Sequence, residues 1–248
     1  MLTPSELSNE KAKLLLYEGV LQRHLMMSTS RQRIFDETHK RGNLLDPDTA
    51  TELDIHLNAY YLNLRGSLDN LAWILTFELE LKPGLREEGK DKRFPDLFGR
   101  DFQAALEQKR PELLRWLKRL RKWRERIKAF RDPAAHRIPL LVTAGLHTDE
   151  KLEQREALEH AASEAIRRKD THAYSSLQHE IRSLAEYRPV FSRSREDGFE
   201  LYWLAGSLLR DQNVFLRIVR KVLGQLLGEI SLRRYQECLA RRRRRRLL

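Results

Sequence analysis

The chain has 248 residues, 41 % of them apolar and 33 % charged, with few Gly and Pro. That balance excludes general disorder and describes long helices with heavily charged outer faces, enough chain to bury a core as one large domain or two small ones. The formal net charge of +11 directs the protein toward polyanions, nucleic acid first and anionic membrane surfaces second.

Six of the excess cations lie in Arg241–Arg246, so the body is only moderately basic. Cys238 is the single cysteine, which rules out an intramolecular disulfide and fits a reducing compartment. The N-terminus lacks a basic stretch followed by an apolar one, so no secretory signal is expected. The longest apolar runs, such as Leu71 to Phe77, are far short of the ~20 residues that span a bilayer. A soluble, cytoplasmic protein without a membrane segment is expected.

Taken in order, the first helix opens on Thr3, Pro4 and Glu6, a capping box with proline at the first helical position. Leu7, Leu14, Leu15, Leu21 and Leu25 follow at helical spacing, and the helix fades near Ser28-Thr29-Ser30 or continues to about Lys40. A second helix starts at Asp46-Pro47 and runs to about Lys82, where Pro83-Gly84 stops it. Leu57, Tyr60 or Tyr61, Leu64, Leu68, Leu71 and Leu75 form its core stripe. Arg65, Asp69 and Trp73 fall four apart on an adjacent face. Arg65 and Asp69 are either a simple i, i+4 ion pair or a polar pair lining a site.

Residues 83–100 read as a charged loop pinned by Phe94, Leu97 and Phe98, and Asp101 can cap a short helix to about Lys109. Pro111 then starts one long basic helix, with Leu113, Trp116, Leu117, Leu120, Trp123, Ile127 and Phe130 on its buried face. Pro133 is expected to disturb that helix and Pro139 to end it, with Ile138 to Val142 extended. A mostly polar helix from about Asp149 to Tyr187, broken near Lys169-Asp170-Thr171, reads as an outer hairpin or lid with a thin core of Leu152, Leu158, Ile166, Leu177, Ile181 and Leu184. Pro189 to Gly198 reads as a linker.

The last helix is expected from Phe199 to about Ala240, on the stripe Leu201, Leu204, Leu208, Phe215, Ile218, Val222, Leu226 and Ile230. No alternating strand pattern of useful length stands out. The fold class expected is all-α, a bundle of five or six helices over residues 1–240, with 145–195 as an inserted polar helical segment and 241–248 as a basic Arg-rich tail.

The eight histidines show no HExxH or His-x3-His spacing, so no metal site is expected. Phosphate-cradling Gly-rich loops and the Gly-x-Ser-x-Gly elbow are absent too, so no cofactor is expected. What remains is Arg131-Asp132-Pro133-Ala134-Ala135-His136, where a permanent cation stands near a side chain that titrates near neutrality, a pair suited to a phosphodiester. The same Arg-x4-His spacing recurs at Arg155–His160 and Arg167–His172. The first match is set apart by Asp132 in second place, the amphipathic helix before it and Arg137-Ile138-Pro139-Leu140 after it. Arg115, Lys118, Arg119, Lys122 and Arg126, on the other faces of the basic helix, form a track for an RNA backbone. A solvated face with its alkyl stems over the core is the alternative.

The phrase FRDPAAHRIPL resembles the HEPN family (higher eukaryotes and prokaryotes nucleotide-binding domains), whose motif is Arg, then a polar residue, three residues and His. The upstream YYLNLRGSLDNLAWIL, followed by Phe94-Pro95, is similar to HEPN-like bacterial proteins. The resemblance implies an all-α HEPN-like bundle and a metal-independent endoribonuclease, a toxin or phage-defence effector acting as a homodimer. RNA, and an antitoxin or regulatory protein, are the partners it implies. In that reading Arg131, Asp132 and His136 are catalytic and Arg65 and Asp69 support them. His136 acts on the ribose 2′-hydroxyl or the leaving oxygen, Arg131 stabilises phosphoryl charge, and Asp132 orients one of them. Other family members have lost catalysis and serve as binding modules, and a non-catalytic HEPN-like dimer that binds RNA or a protein partner is the alternative for this chain. Pro133 is this chain's departure from the family pattern.

Overall fold

The structure, a computed structural model, describes residues 7–38, 45–81, 95–136, 138–143, 149–184, 189–195 and 198–244, without the side chains of 133–136, 149–150, 182 and 227–244. It is helical almost throughout, with one small sheet. The elements are α1 (Glu10–Leu14), a π-helical segment (Leu15–Leu21), α2 (Gln22–Thr38), α3 (Pro47–Glu78), α4 (Arg100–Lys109), α5 (Pro111–Lys118) and α6 (Arg121–His136). They are followed by β1 (Leu141–Thr143), α7 (Asp149–Arg167), α8 (Thr171–Leu184), β2 (Val190–Arg195), β3 (Gly198–Trp203) and α9 (Leu204–Arg244). The mostly all-α class expected from the sequence is what the chain adopts. The capping box at Thr3, Pro4 and Glu6, the stop at Pro83-Gly84, and Phe94 lie outside the described residues.

The chain divides into two compact units, one of residues 1–29, 59–137 and 209–248, the other of 30–58 and 138–208. The boundaries cut through α2 and α3 and lie near the start of α9, and the segment expected as an insertion falls in the second unit.

In the first unit the core follows the apolar stripes. Tyr60, Tyr61, Leu64, Leu68, Leu71 and Leu75 of α3 are fully buried, as are Leu117 and Phe130 of α5 and α6 and Phe215, Ile218 and Val222 of α9. Both tyrosines are inside, packed edge to face, and Tyr61 also tilts against Phe130 at 4.9 Å between ring centroids. Glu78, at the end of α3, accepts from the backbone N–H of Ser8 and Asn9 (3.1 and 2.8 Å), and Asn9 caps α1. Gly19, in the π-helical segment, is required by close approach, because a Cβ there would strike the Asn70 side chain of α3.

Of the two ends expected for the first helix, the later one holds: α2 continues past Ser28-Thr29-Ser30 to Thr38. Several other boundaries differ from those expected. α3 ends at Glu78, four residues early, because Glu80 takes a left-handed φ of 52° and Leu81 N–H reaches back to Thr76 (3.0 Å). Gly99, not Asp101, occupies the N-cap of α4. The long basic helix is two helices. Its backbone turns at Arg119-Leu120, where N–H groups bond three residues back to Trp116 and Leu117. α6 then continues through Pro133, where a disturbance was expected, and its helix runs to His136, short of Pro139.

In the second unit, β1, β2 and β3 form an antiparallel sheet in that order. This corrects two expectations: the linker from Pro189 contains β2, and the start of the last helix at Phe199 is β3. Asn58 mimics a strand neighbour for β1: its Oδ1 accepts from Leu140 N–H (3.0 Å) and its Nδ2 donates to Leu140 O (2.8 Å), while Asp54 accepts from Val142 N–H. α7 and α8 are the expected hairpin. Lys169 turns left-handed (φ 58°), Asp170 N–H bonds back to Ala165 (2.9 Å), and the Asp170 carboxylate caps α8 at Ala173 N–H (2.9 Å). Its core is thin: Ala162, Ala165 and Ile181 are buried, but Leu152 and Ile166 are exposed. α9 carries its helix to Arg244, into the stretch expected as a tail.

Candidate functional site

α6 turns Trp123, Ile127 and Phe130 inward at intervals of four and three. That choice leaves Arg124 and Arg131, two turns apart, on a neighbouring face. α3 does the same with Arg65 and Asp69, beside its buried stripe. Both faces belong to the first unit, and Asp96 links them.

Asp96 is the hub. Its carboxylate accepts from Arg65 (Nη1–Oδ1 3.3 Å, Nη2–Oδ2 3.1 Å), from Arg124 Nη2 (3.1 Å) and from Phe98 N–H (3.0 Å). Burial alone would raise this carboxyl, but the Arg65 hydrogen bond and charge, with help from Phe98 N–H and Arg124, hold it below its ordinary value. Arg65 also reaches Asp69 at 3.1 Å, so the i, i+4 pair of the sequence exists and is part of a larger network. Asp69 behaves oppositely to Asp96. Burial pushes its carboxyl up, and Asp96 adds to this against the pull of Arg65, Arg131 and Arg23.

The charge of Arg131 therefore acts on the Asp69 carboxyl. Arg131 also donates to its neighbour Asp132 (3.3 Å), one bond from a guanidinium with five N–H donors. Arg23 completes the group. It donates to Asn63 Oδ1 (3.0 Å) and lies against Gly66, where a Cβ would sit 2.7 Å from its Cζ. Arg124 also pairs with Glu125 (2.7 Å), so four guanidiniums meet four carboxylates in a half-buried, charge-balanced patch.

Of the residues singled out in the sequence, Arg65, Asp69, Arg131 and Asp132 come together. The backbone of His136 is described, on the final turn of α6, but its side chain is outside the described residues. Arg115, Lys118, Arg119 and Lys122 are exposed around the α5–α6 turn. Arg126 is drawn inward to an ion pair with Asp211. Three participants were missed: Arg23, Asp96 and Arg124. Asp96 is 31 residues from Arg65 in a loop, and no local spacing points to it. Among the described residues no group of three or more His, Cys, Asp or Glu side chains is placed to hold a metal ion, and no helix is long and apolar enough to cross a membrane.

Asp96→Asn should lower stability by about 1–3 kcal/mol, since Arg65 and Arg124 each lose one of two anionic partners and keep only Asp69 and Glu125. Thermal or denaturant unfolding would measure it, and a loss under about 0.5 kcal/mol would show that Asp96 is not a hub.

No protein-family model, no curated protein and no solved structure matches the chain.

Proposed function

We propose that the protein is a metal-independent endoribonuclease of HEPN type, a cytoplasmic toxin or phage-defence effector acting on RNA as a homodimer and held in check by an antitoxin or regulatory protein. His136 takes the ribose 2′-hydroxyl proton while water protonates the departing 5′-oxygen, or it delivers a proton to that oxygen while water takes the 2′-hydroxyl proton. The 2′-oxygen bonds to phosphorus as the P–O5′ bond breaks, leaving a 2′,3′-cyclic phosphate and a 5′-hydroxyl. Arg131 neutralises charge gathering on the phosphoryl oxygens. Asp132 orients Arg131, while Arg65, Asp69 and Asp96 fix the charged surroundings.

The supporting observation is that α6 stays helical through Pro133, so Arg131, Asp132 and His136 share its last two turns, with the charge of Arg131 acting on Asp69. The exposed cations Arg115, Lys118, Arg119 and Lys122 supply salt-sensitive phosphate contacts. Lys122 begins about 13 Å before Arg131 along the same helix.

Purified protein is expected to cut a ribo-oligonucleotide in excess EDTA, leaving 2′,3′-cyclic phosphate ends, and to leave the matching deoxyribo-oligonucleotide intact. Cleavage of the DNA, or cleavage that needs a divalent cation, contradicts the reading. A second reading, a non-catalytic RNA-binding dimer, is favoured by the two carboxylates, Asp132 and Asp69, that draw on the Arg131 charge. RNA binding with a steep salt dependence but no cleavage selects it.

A further inference from the structure

β3 is the outer strand of its sheet among the described residues. Residues directly opposite in antiparallel strands share a face. The register pairs Phe199 with Ser194, Leu201 with Ser192 and Trp203 with Val190, and Ser192 in turn with Leu141. Phe199, Leu201, Trp203 and Leu141 therefore stand on one face, exposed by 70, 49, 63 and 38 %. Isolated exposed apolar residues are ordinary, whereas two aromatics and two leucines on one small sheet face form a patch.

Charge narrows what this strand can meet. The only ionisable acid or base in β3 besides Tyr202 is Glu200, on the opposite face, where Arg193 (3.2 Å) and Arg195 (2.7 Å) hold it. The described strand residues put no cation on the aromatic face, and a nucleic-acid strand or an anionic membrane needs one. β3 also has no Pro, no Lys and no bulge, the usual devices that keep edge strands from pairing.

The backbone phase adds a second observation. Leu204 N–H donates to Pro189 O (3.0 Å), one step beyond the Val190–Trp203 pair. Hydrogen-bonded and non-bonded pairs alternate in an antiparallel ladder. The backbone groups of Tyr202, Glu200 and Gly198 therefore face β2, and those of Phe199, Leu201 and Trp203 face outward. The three residues with apolar side chains on the patch are the three with outward N–H and C=O groups.

We propose that β3 pairs antiparallel with β3 of a second copy of this chain, across a two-fold axis at Leu201. This register sets Leu201 opposite the partner's Leu201 and Phe199 opposite the partner's Trp203. All three outward residues become hydrogen-bonded pairs, each exchanging two bonds, and aromatic partners meet across the seam. An aromatic–Leu–aromatic strand is self-complementary in this way, as an isologous contact must be. Pairing at the edge buries the flanks of these side chains and leaves the sheet face open, so the contact is well short of the roughly 1,200–2,000 Å² of a standard interface, and association is weak and strengthens with salt as the like net charges are screened. The ribonuclease reading needs a homodimer but does not specify this seam: a Leu201→Glu variant that associates like wild type overturns the seam alone, whereas a monomeric wild type also removes the homodimer of that reading.

Sedimentation of the full chain, free of RNA, tests it. Wild type is expected to dimerise at tens of micromolar, and Leu201→Glu and Leu201→Lys, each placing like charges opposite each other, to weaken this at least tenfold. An equimolar mixture of the two variants is expected to dimerise again. Leu201→Cys in a Cys238→Ser background gives a readout that does not depend on those variants folding, because mild oxidation should join two chains through that cysteine. A wild type that stays monomeric to hundreds of micromolar overturns the proposal and leaves the edge to a strand from another protein. So does a Leu201→Glu variant that associates like wild type, or the absence of cross-linking at position 201.

Discussion

Asp211→Ala is expected to destabilise the first unit by about 3–5 kcal/mol, the cost of leaving a buried charge without its partner. Asp211 is fully buried. Its carboxylate accepts from Trp123 Nε1 (2.9 Å), from Tyr61 Oη (3.1 Å) and from the Arg126 guanidinium, gathering α3, α6 and α9 on one acid. Alanine would strand a cation and two donors inside. Asp211→Asn keeps an acceptor but loses the charge, so it should cost less, about 1–3 kcal/mol. Denaturant unfolding of the three proteins gives both numbers. Equal stability of the alanine variant would show that the cluster is ornamental.

The same group predicts a pH dependence of unusual sign. Burial pushes the Asp211 carboxyl up to about 6, against the hydrogen bonds of Trp123 and Tyr61. In the unfolded chain an aspartate titrates near ~3.9. Between those values the folded state binds the proton more tightly, so this group's contribution to stability falls as pH rises from about 4 to about 6 and is level above that. Asp96, held below its ordinary value, acts at lower pH, where its stabilisation is lost as it protonates. The two windows are separate. Unfolding free energies from pH 4 to 7 should therefore decline in wild type relative to Asp211→Asn, and parallel curves would contradict the assignment.

The second large effect concerns Arg131. If it neutralises developing phosphoryl charge, Arg131→Ala should lower kcat/KM on RNA by about 10²–10³. Arg131→Lys should recover part of this, since the charge returns without the planar fork. Arg131 is only half-buried, so the fold should survive both substitutions. Lys122→Ala should act differently, weakening binding and the salt dependence while leaving kcat unchanged.

Much of the fold was legible in the sequence because its helices are strongly patterned. The α3 stripe, the Asp46-Pro47 start and the break at Lys169-Asp170 each had a physical signal: periodicity, a cap followed by proline, and a polar interruption. β3 was not legible, since Phe199, Leu201 and Trp203 alternate while Leu201, Leu204 and Leu208 also keep helical spacing. Over so short a window periods of 2 and 3.6 fit equally well. The Arg119-Leu120 turn has neither Gly nor Pro to announce it. In the candidate site, Arg65–Asp69 was readable because ion pairs four apart on a helix are local. Arg124 and Arg126 read as part of an exposed cationic face, and their partners Asp96 and Asp211 lie 28 and 85 residues away. Asp211 did leave a trace, a lone acid between Leu208 and Phe215 in an apolar stripe.

The central claim rests on one side chain. Cleavage of a single ribo-oligonucleotide in EDTA should be compared for wild type and His136→Ala at equal concentration, with matching thermal unfolding curves to establish that both are folded. Wild type is expected to cut and His136→Ala to lose at least about 10³-fold in rate. A folded His136→Ala protein that cuts as fast as wild type would contradict the account.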